Sequence, residues 1–208
     1  MPKITQGKRT QAERTATSKK KILEEATRLF GEKGFKSTKL SEVADAVDMT
    51  EPGVLHHFQS KENLLLSVLE ERDRIDSENY FHAINHHGFD LFKALKSLIE
   101  HNTKVPNIVQ LFTILVAESI PSDQPGHDFF INRYQNIRKI CVDLLEKAKL
   151  QGEIRRDIPC EDLAIMMMAL MDGLQIQWLL EPDQINMSRV FNLYLELLSA
   201  GVKTDTGQ

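Results

Sequence analysis

The chain has 208 residues and a mass of 23.8 kDa, enough for one or two domains with a substantial core. Hydrophobic residues make up 41% and charged residues 27%, with only 10 Gly and 7 Pro, which excludes collagen, low-complexity disorder and a small disulfide scaffold. The net charge of −4 hides an asymmetry, because residues 1–63 carry 12 Lys/Arg against 9 Asp/Glu while residues 64–208 carry 14 against 21. A basic head on an acidic body implies that only the head meets a polyanion. For the first 21 residues alone, a solubilising tail is the competing reading. Cys141 and Cys160 form no CxxC and join no Cys/His cluster, so neither a redox motif nor a zinc finger is expected, and a reducing cytoplasm is the simplest compartment. The start, MPKITQGKRT, lacks the apolar run of a signal peptide.

Residues 1–17 read as a basic flexible arm. Helical periodicity then takes over. Ile22, Leu23, Ala26, Leu29 and Phe30 form one apolar stripe, giving a first helix over about 18–33 that ends at Gly31 and Gly34. Leu40, Val43, Ala44 and Val47 mark a short helix over about 39–47, with Ser37 or Thr38 placed to cap it. Asp48-Met49-Thr50 makes a turn, and Thr50 can cap a third helix over about 51–58, where Pro52 is tolerated in the first turn and Val54, Leu55 and Phe58 face inward. A longer helix starts at Ser60 and runs to about Asn85. Further periodic segments cover about 90–104, 107–119, 128–151, 160–180 and 187–200, separated by Pro- and Gly-containing breakers. The expected fold is all-α with about nine helices: a three-helix head over 18–63 and a helical bundle over 64–208.

The segment from Leu163 to Leu180 is apolar except for Asp172, Gly173, Gln175 and Gln177. A membrane span needs about 20 predominantly apolar residues, and an Asp with two Gln near its centre is costly in lipid. A helix covered by protein is the expectation, with no membrane partner.

Two short helices joined by a tight turn and preceded by a covering helix constitute a helix-turn-helix. Its physics is steric, since the second helix fits the major groove while flanking groups hold phosphates. The candidate recognition helix is Glu51-Pro52-Gly53-Val54-Leu55-His56-His57-Phe58. Gly53 has no side chain to bar close approach, His56 and His57 are donors for phosphate or base, and Lys61 adds a cation beside the free amides of the next helix.

The string Gly34-Phe35-x-x-Thr38-x-Leu40-x-x-Val43-Ala44-x-Ala46-Val47-x-Met49-Thr50-x-x-x-Val54-Leu55-His56-His57-Phe58-x-Ser60-Lys61-Glu62-x-Leu64 resembles the N-terminal DNA-binding signature of the tetracycline-repressor (TetR/AcrR) family. The stretch from Met171-Asp172-Gly173-Leu174 to Trp178-Leu179-Leu180-Glu181-Pro182 is similar to the family's penultimate helix. The resemblance implies a homodimeric repressor of a palindromic operator, released by a small effector bound in the C-terminal domain. On the matching positions it implies that Thr38 and Lys61 hold phosphates and that Thr50, Pro52, Gly53, His56 and His57 form the DNA face. The sequence departs from the pattern at Leu55, where a Tyr is frequent, at Glu51, where Lys or Gly is common, and at Asp48, where the turn often has Gly. Glu51 has two readings, acceptance from a cytosine amine or complementing the helix dipole, and the dipole is favoured.

Aromatic and Met residues mark a candidate effector cavity for a largely apolar molecule: Phe81, Phe89, Phe92, Phe112, Phe129, Tyr134, Met167, Met171 and Trp178. Core packing is the alternative for each, and Met166, Met167 and Met168 span too much of the helix circumference for all three to face one cavity. Leu174, Trp178, Val190, Phe191, Tyr194 and Leu198 are the candidate dimer interface, because the last two helices carry more apolar surface than one bundle side can bury. His82, His86 and His87 have metal-ligand spacing but no placed partner, so no metal is expected. No cofactor and no enzymatic activity are expected either, since no phosphate loop, GxSxG or HExxH occurs. A helical adaptor without sequence-specific DNA binding is the alternative function.

Overall fold

The computed structural model describes residues 10–81 and 90–204. Among them are nine α-helices and no sheet, only an isolated bridge between Ile154 and Lys203. The helices are α1 (Gln11–Lys33), α2 (Leu40–Ala46), α3 (Glu51–Phe58), α4 (Lys61–Asp76), α5 (Asp90–Asn102), α6 (Pro106–Glu118), α7 (His127–Leu150), α8 (Cys160–Leu180) and α9 (Met187–Val202), with a π-helical turn at Ser77–Phe81 after α4. The chain packs as two compact units, Met1–Leu69 and Glu70–Gln208.

Seven residues that the sequence suggested as flexible arm belong to α1. The Thr10 hydroxyl accepts from the Glu13 amide at 3.2 Å, and the Glu13 carboxylate accepts from the Thr10 amide at 2.7 Å. This reciprocal capping box satisfies two amides that a helix start leaves without partners, so the helix begins at Gln11 rather than at about 18.

In the first unit Ile22, Ala26, Leu29 and Phe30 of α1 are buried, as are Val43 and Ala44 of α2, Val54 and Phe58 of α3 and Leu64, Leu65, Val68 and Leu69 of α4. These are the apolar positions of each short period, so the stripe pattern alone dictates the packing. Phe35 stands edge-on to Phe30 with ring centroids 5.4 Å apart. The turn between α2 and α3 needs a left-handed residue, and Asp48 supplies it at φ +56°. That conformation explains why glycine is frequent at this place and why Asp, among the better tolerated non-glycine residues, can stand there.

The second unit is built around one core, to which Leu91, Phe92, Leu95 and Ile99 of α5, Cys141 and Leu145 of α7, Leu163, Met167, Leu174 and Trp178 of α8, and Phe191 and Leu195 of α9 contribute. Helix α8 is long and apolar enough to cross a membrane by length and composition. Its Leu163, Ala164, Met167, Met168, Leu174 and Trp178 are nonetheless buried in the chain's own core.

Candidate functional site

Helix α3 presents its N-terminal end as the sequence suggested. Thr50 is the N-cap, its hydroxyl oxygen accepting from the Gly53 amide at 3.3 Å, and it is exposed. The hydroxyl proton therefore remains free to donate. Pro52 lies in the first turn, where it removes an amide that had no helical acceptor. A Cβ built on Gly53 would meet Met49 Cε at 3.2 Å and Thr50 Oγ1 at 3.4 Å, so glycine keeps the cap uncrowded as well as leaving the outer face open. His56 is exposed and His57 half-buried, with ring centroids 5.7 Å apart. Burial, and then the neighbouring His56 and Lys19, hold the His57 imidazole below its ordinary pKa.

Lys61 opens α4, and the Ser60 hydroxyl caps that helix by accepting from the Asn63 amide at 3.0 Å. The Lys61 ammonium lies 4.4 Å from the Phe35 ring centroid, a cation–π contact that keeps the side chain against the head. Partial burial lowers its pKa, opposed by Glu62 and Glu42.

Thr38 departs from the expectation. Its side chain is buried, and its hydroxyl donates to the carbonyls of Gly34 at 2.8 Å and Leu29 at 3.2 Å. A hydroxyl has one proton, and here it serves the end of α1, which corrects the expected phosphate contact from this side chain.

Two of the cavities among the described residues of the second unit have volumes of about 100 and about 220 Å³. Four residues, Asp76, Leu98, Arg133 and Met171, line both. Of the expected pocket residues, Phe112 and Tyr134 line the smaller, Met167 the larger, and Met171 both. Phe92 and Trp178 pack in the core instead, and Phe129 stacks edge-on against Phe130 at 5.1 Å without lining either cavity. The Phe81 side chain, Phe89, and the three histidines at 82, 86 and 87 lie outside the described residues. Met167 and Met168 are buried while Met166 is 55% exposed, in keeping with the circumference argument.

The walls are more polar than a largely apolar effector requires. Arg72 donates through Nε to Asp76 Oδ2 at 2.9 Å and through Nη2 to Asn102 Oδ1 at 2.8 Å. Arg133 Nε meets Asp73 at 2.8 and 3.0 Å, and the Tyr134 hydroxyl donates to Asp172 at 2.7 Å. Both guanidinium groups lie within 5.4 Å of the Phe112 ring centroid. Burial raises the carboxyls of Asp73 and Asp172 despite these partners, and burial together with Asp172 pushes the Tyr134 hydroxyl well above its ordinary range. The sequence offered one signal for this cluster, the lone Asp172 in an apolar helix. Arg72 and Asp76, at i and i+4, have the spacing of an ordinary surface ion pair.

Along α8 and α9 a face of large apolar side chains is left uncovered: Ile165, Met166, Ile176, Leu180, Val190, Leu193 and Leu197 are exposed. Among the expected interface residues only Val190 belongs to that set, while Tyr194 and Leu198 are half-buried. Leu174, Trp178 and Phe191 are buried within the single chain, because the helical period turns them toward α5 and α7. Among the described residues no group of three potential metal ligands is found.

The family profile described as bacterial regulatory proteins, tetR family, matches residues 22–68, and that described as BetI-type transcriptional repressor, C-terminal, matches residues 108–201. The transcriptional repressor KstR2 of Mycolicibacterium smegmatis is 25% identical over 200 residues, covering 92% of this chain and 94% of its own. Among solved structures, the complex of SmeT with triclosan superposes with a TM-score of 0.80 at 17% identity, over 91% of this chain and 93% of that one. SmeT is the repressor of a Stenotrophomonas maltophilia multidrug efflux pump. A transcriptional regulator from Saccharomonospora viridis in complex with choline gives a TM-score of 0.75 at 20% identity, over 91% and 100%. With its head and most of its second unit matched by profiles of one family, and with an exposed recognition helix in that head, the chain belongs to the TetR family and is a DNA-binding transcriptional repressor of the helix-turn-helix class.

Proposed function

We propose that the protein binds a palindromic operator as a homodimer and is released from it by a small effector, acting in the cytoplasm and without catalysis. The observation that carries this reading is that α3 leaves Thr50 at its N-cap and His56 in its last turn exposed, with Gly53 between them carrying no side chain. In a major groove those groups meet base edges and phosphates, while Lys61 neutralises a flanking phosphate. The exposed apolar face of α8 and α9 supports a dimer, since two such helices from each subunit make a four-helix interface about a two-fold axis. The cavities of the second unit are the effector site in this reading, and the triclosan and choline seen in structurally similar regulators support a small-molecule ligand. Release is then a matter of linkage: the effector prefers a dimer whose heads no longer match grooves about 34 Å apart, and about 1.4 kcal/mol of coupling gives each tenfold loss.

The test is fluorescence anisotropy with duplexes tiled across the DNA flanking the gene. One duplex should bind at least about a thousandfold more tightly than random sequence at physiological salt. Equal binding to all duplexes would instead support the adaptor reading.

A further inference from the structure

Of the four buried side-chain polar atoms without a hydrogen-bond partner among the described residues, two belong to the wall of the smaller cavity, Arg72 Nη1, a donor, and Asp76 Oδ1, an acceptor, while the other two, Asn192 Oδ1 and the Tyr194 hydroxyl, lie on α9 away from it. Leaving a buried polar group unpaired is unfavourable, so two at one cavity point to a ligand that completes them. The remaining atoms of both side chains are committed, Arg72 Nε to Asp76 Oδ2 and Arg72 Nη2 to Asn102. The two charges already offset one another at 2.9 Å. What is missing is one acceptor and one donor rather than a counter-charge.

The surroundings narrow the choice. Arg133 is paired with Asp73, and Asp172 accepts a hydrogen bond from the Tyr134 hydroxyl, so the other charged groups of the walls have partners as well. A quaternary ammonium is recognised by open aromatic faces. Phe112 offers little of that kind, with Arg72 and Arg133 both within 5.4 Å of its ring centroid. An isolated anion or cation would enter a half-buried site whose opposite charges are already paired, so its desolvation cost would go largely uncompensated. The larger cavity, walled by Ile137, Ile140, Met167 and Met168, accepts an apolar body, and methionine adapts to its outline.

We infer that the cavity takes an amphiphile whose head is an uncharged hydroxyl, alcoholic or phenolic, accepting from Arg72 and donating to Asp76, with a short apolar body against the methionines. This rests on the reading of the cavity as the effector site and gives that site its ligand chemistry.

The experiment is isothermal titration calorimetry of the full chain with four probes of one shape: 4-butylphenol, butylbenzene, 4-butylbenzoate and 4-butylphenyltrimethylammonium. The phenol should bind at least tenfold more tightly than each of the others. In the double variant Arg72→Met/Asp76→Leu, which removes both charges together, the phenol should lose that advantage over butylbenzene. Circular dichroism checks that the variant folds, and if it does not, the probe series on the unaltered protein decides. Equal or tighter binding of the hydrocarbon or a charged probe, or no binding of any of the four, overturns the inference, as does a phenol preference that survives in the folded double variant. Anisotropy on operator DNA separates the two readings. Phenol binding without DNA release supports the ligand class and defeats the effector role, whereas release by the benzoate with no phenol binding overturns the ligand class and keeps the effector role.

Discussion

The Thr38 hydroxyl donates to the Gly34 carbonyl at 2.8 Å and approaches the Leu29 carbonyl at 3.2 Å, closing the C-terminal end of α1 from within the head. A residue that resemblance assigns to phosphate is thus a fastening between α1 and the loop before α2. Thr38→Val keeps the shape and removes the shared hydroxyl donor, while the Gly34 carbonyl keeps the Thr38 amide at 3.2 Å. We expect a loss of about 1–2 kcal/mol, read as a lower urea midpoint with unchanged slope. Salt dependence of DNA binding should be unaltered in the folded variant. A variant with wild-type stability would contradict this assignment.

Lys61→Ala should weaken binding to all duplexes alike. Each neutralised phosphate contributes about 0.9 to the slope of log affinity against log salt, so the slope should flatten by about that amount. Anisotropy at several salt concentrations measures it. An unchanged slope would leave the Lys61 ammonium on Phe35 in the complex as it is in the free chain.

His57 gives the complex a pH dependence with a definite sign. In the free protein His57 is held below its ordinary pKa by burial and by the charges of His56 and Lys19, so it is mostly neutral at pH 7. A phosphate at the tip of α3 favours the imidazolium and raises that pKa, so binding takes up a proton and affinity rises as pH falls from about 7.5 to about 5.5. The converse applies to stability, because a folded-state pKa below the unfolded one means that acidification through the unfolded value destabilises the head. His57→Gln should flatten the affinity profile. A profile identical to wild type would remove His57 from the phosphate contact.

Leu193 and Leu197 lie on α9 at i and i+4, 55% and 66% exposed, on one stripe with Val190. Leu193→Glu/Leu197→Glu places two like charges from each subunit in the proposed two-fold interface. Sedimentation at micromolar concentration should shift from dimer to monomer, with operator affinity falling at least about a hundredfold as the second head is lost. Trp178→Phe, by contrast, alters a residue of the single chain's core, so it should lower stability and leave the dimer intact. A dimer undisturbed by the double Glu variant would move the interface off α9.

The recognition element was legible in the sequence because it is local. The cap at Thr50, Pro52 in the first turn, and the apolar spacing of Val54 and Phe58 act within one or two turns of helix, and the bounds 51–58 follow from them. The same local reasoning would have started α1 at Gln11 had the Thr10-x-x-Glu13 box been used. Periodicity also said that Met166, Met167 and Met168 could not all face one cavity, though not that Met166 is the one left exposed. It could not say which apolar residues of α8 and α9 serve this chain's core and which remain outside, since Trp178, Phe191 and Leu197 look alike as a pattern and differ only in what packs on them. The cavity lay further out of reach. Arg72 with Asn102, Arg133 with Asp73 and Tyr134 with Asp172 are 30, 60 and 38 positions apart, and nothing in the chain order announces a pairing of that range. The sequence by itself determined the order of the helices, the Thr50 cap and the bounds of α3, because those depend on neighbours along the chain, whereas the cap expected for α2 at Ser37 or Thr38 is absent. Only the tertiary structure decided that Thr38 is a fastening, that the cavity walls carry paired charges, and which apolar face stays open, because burial and long-range hydrogen bonding exist only once the helices are packed.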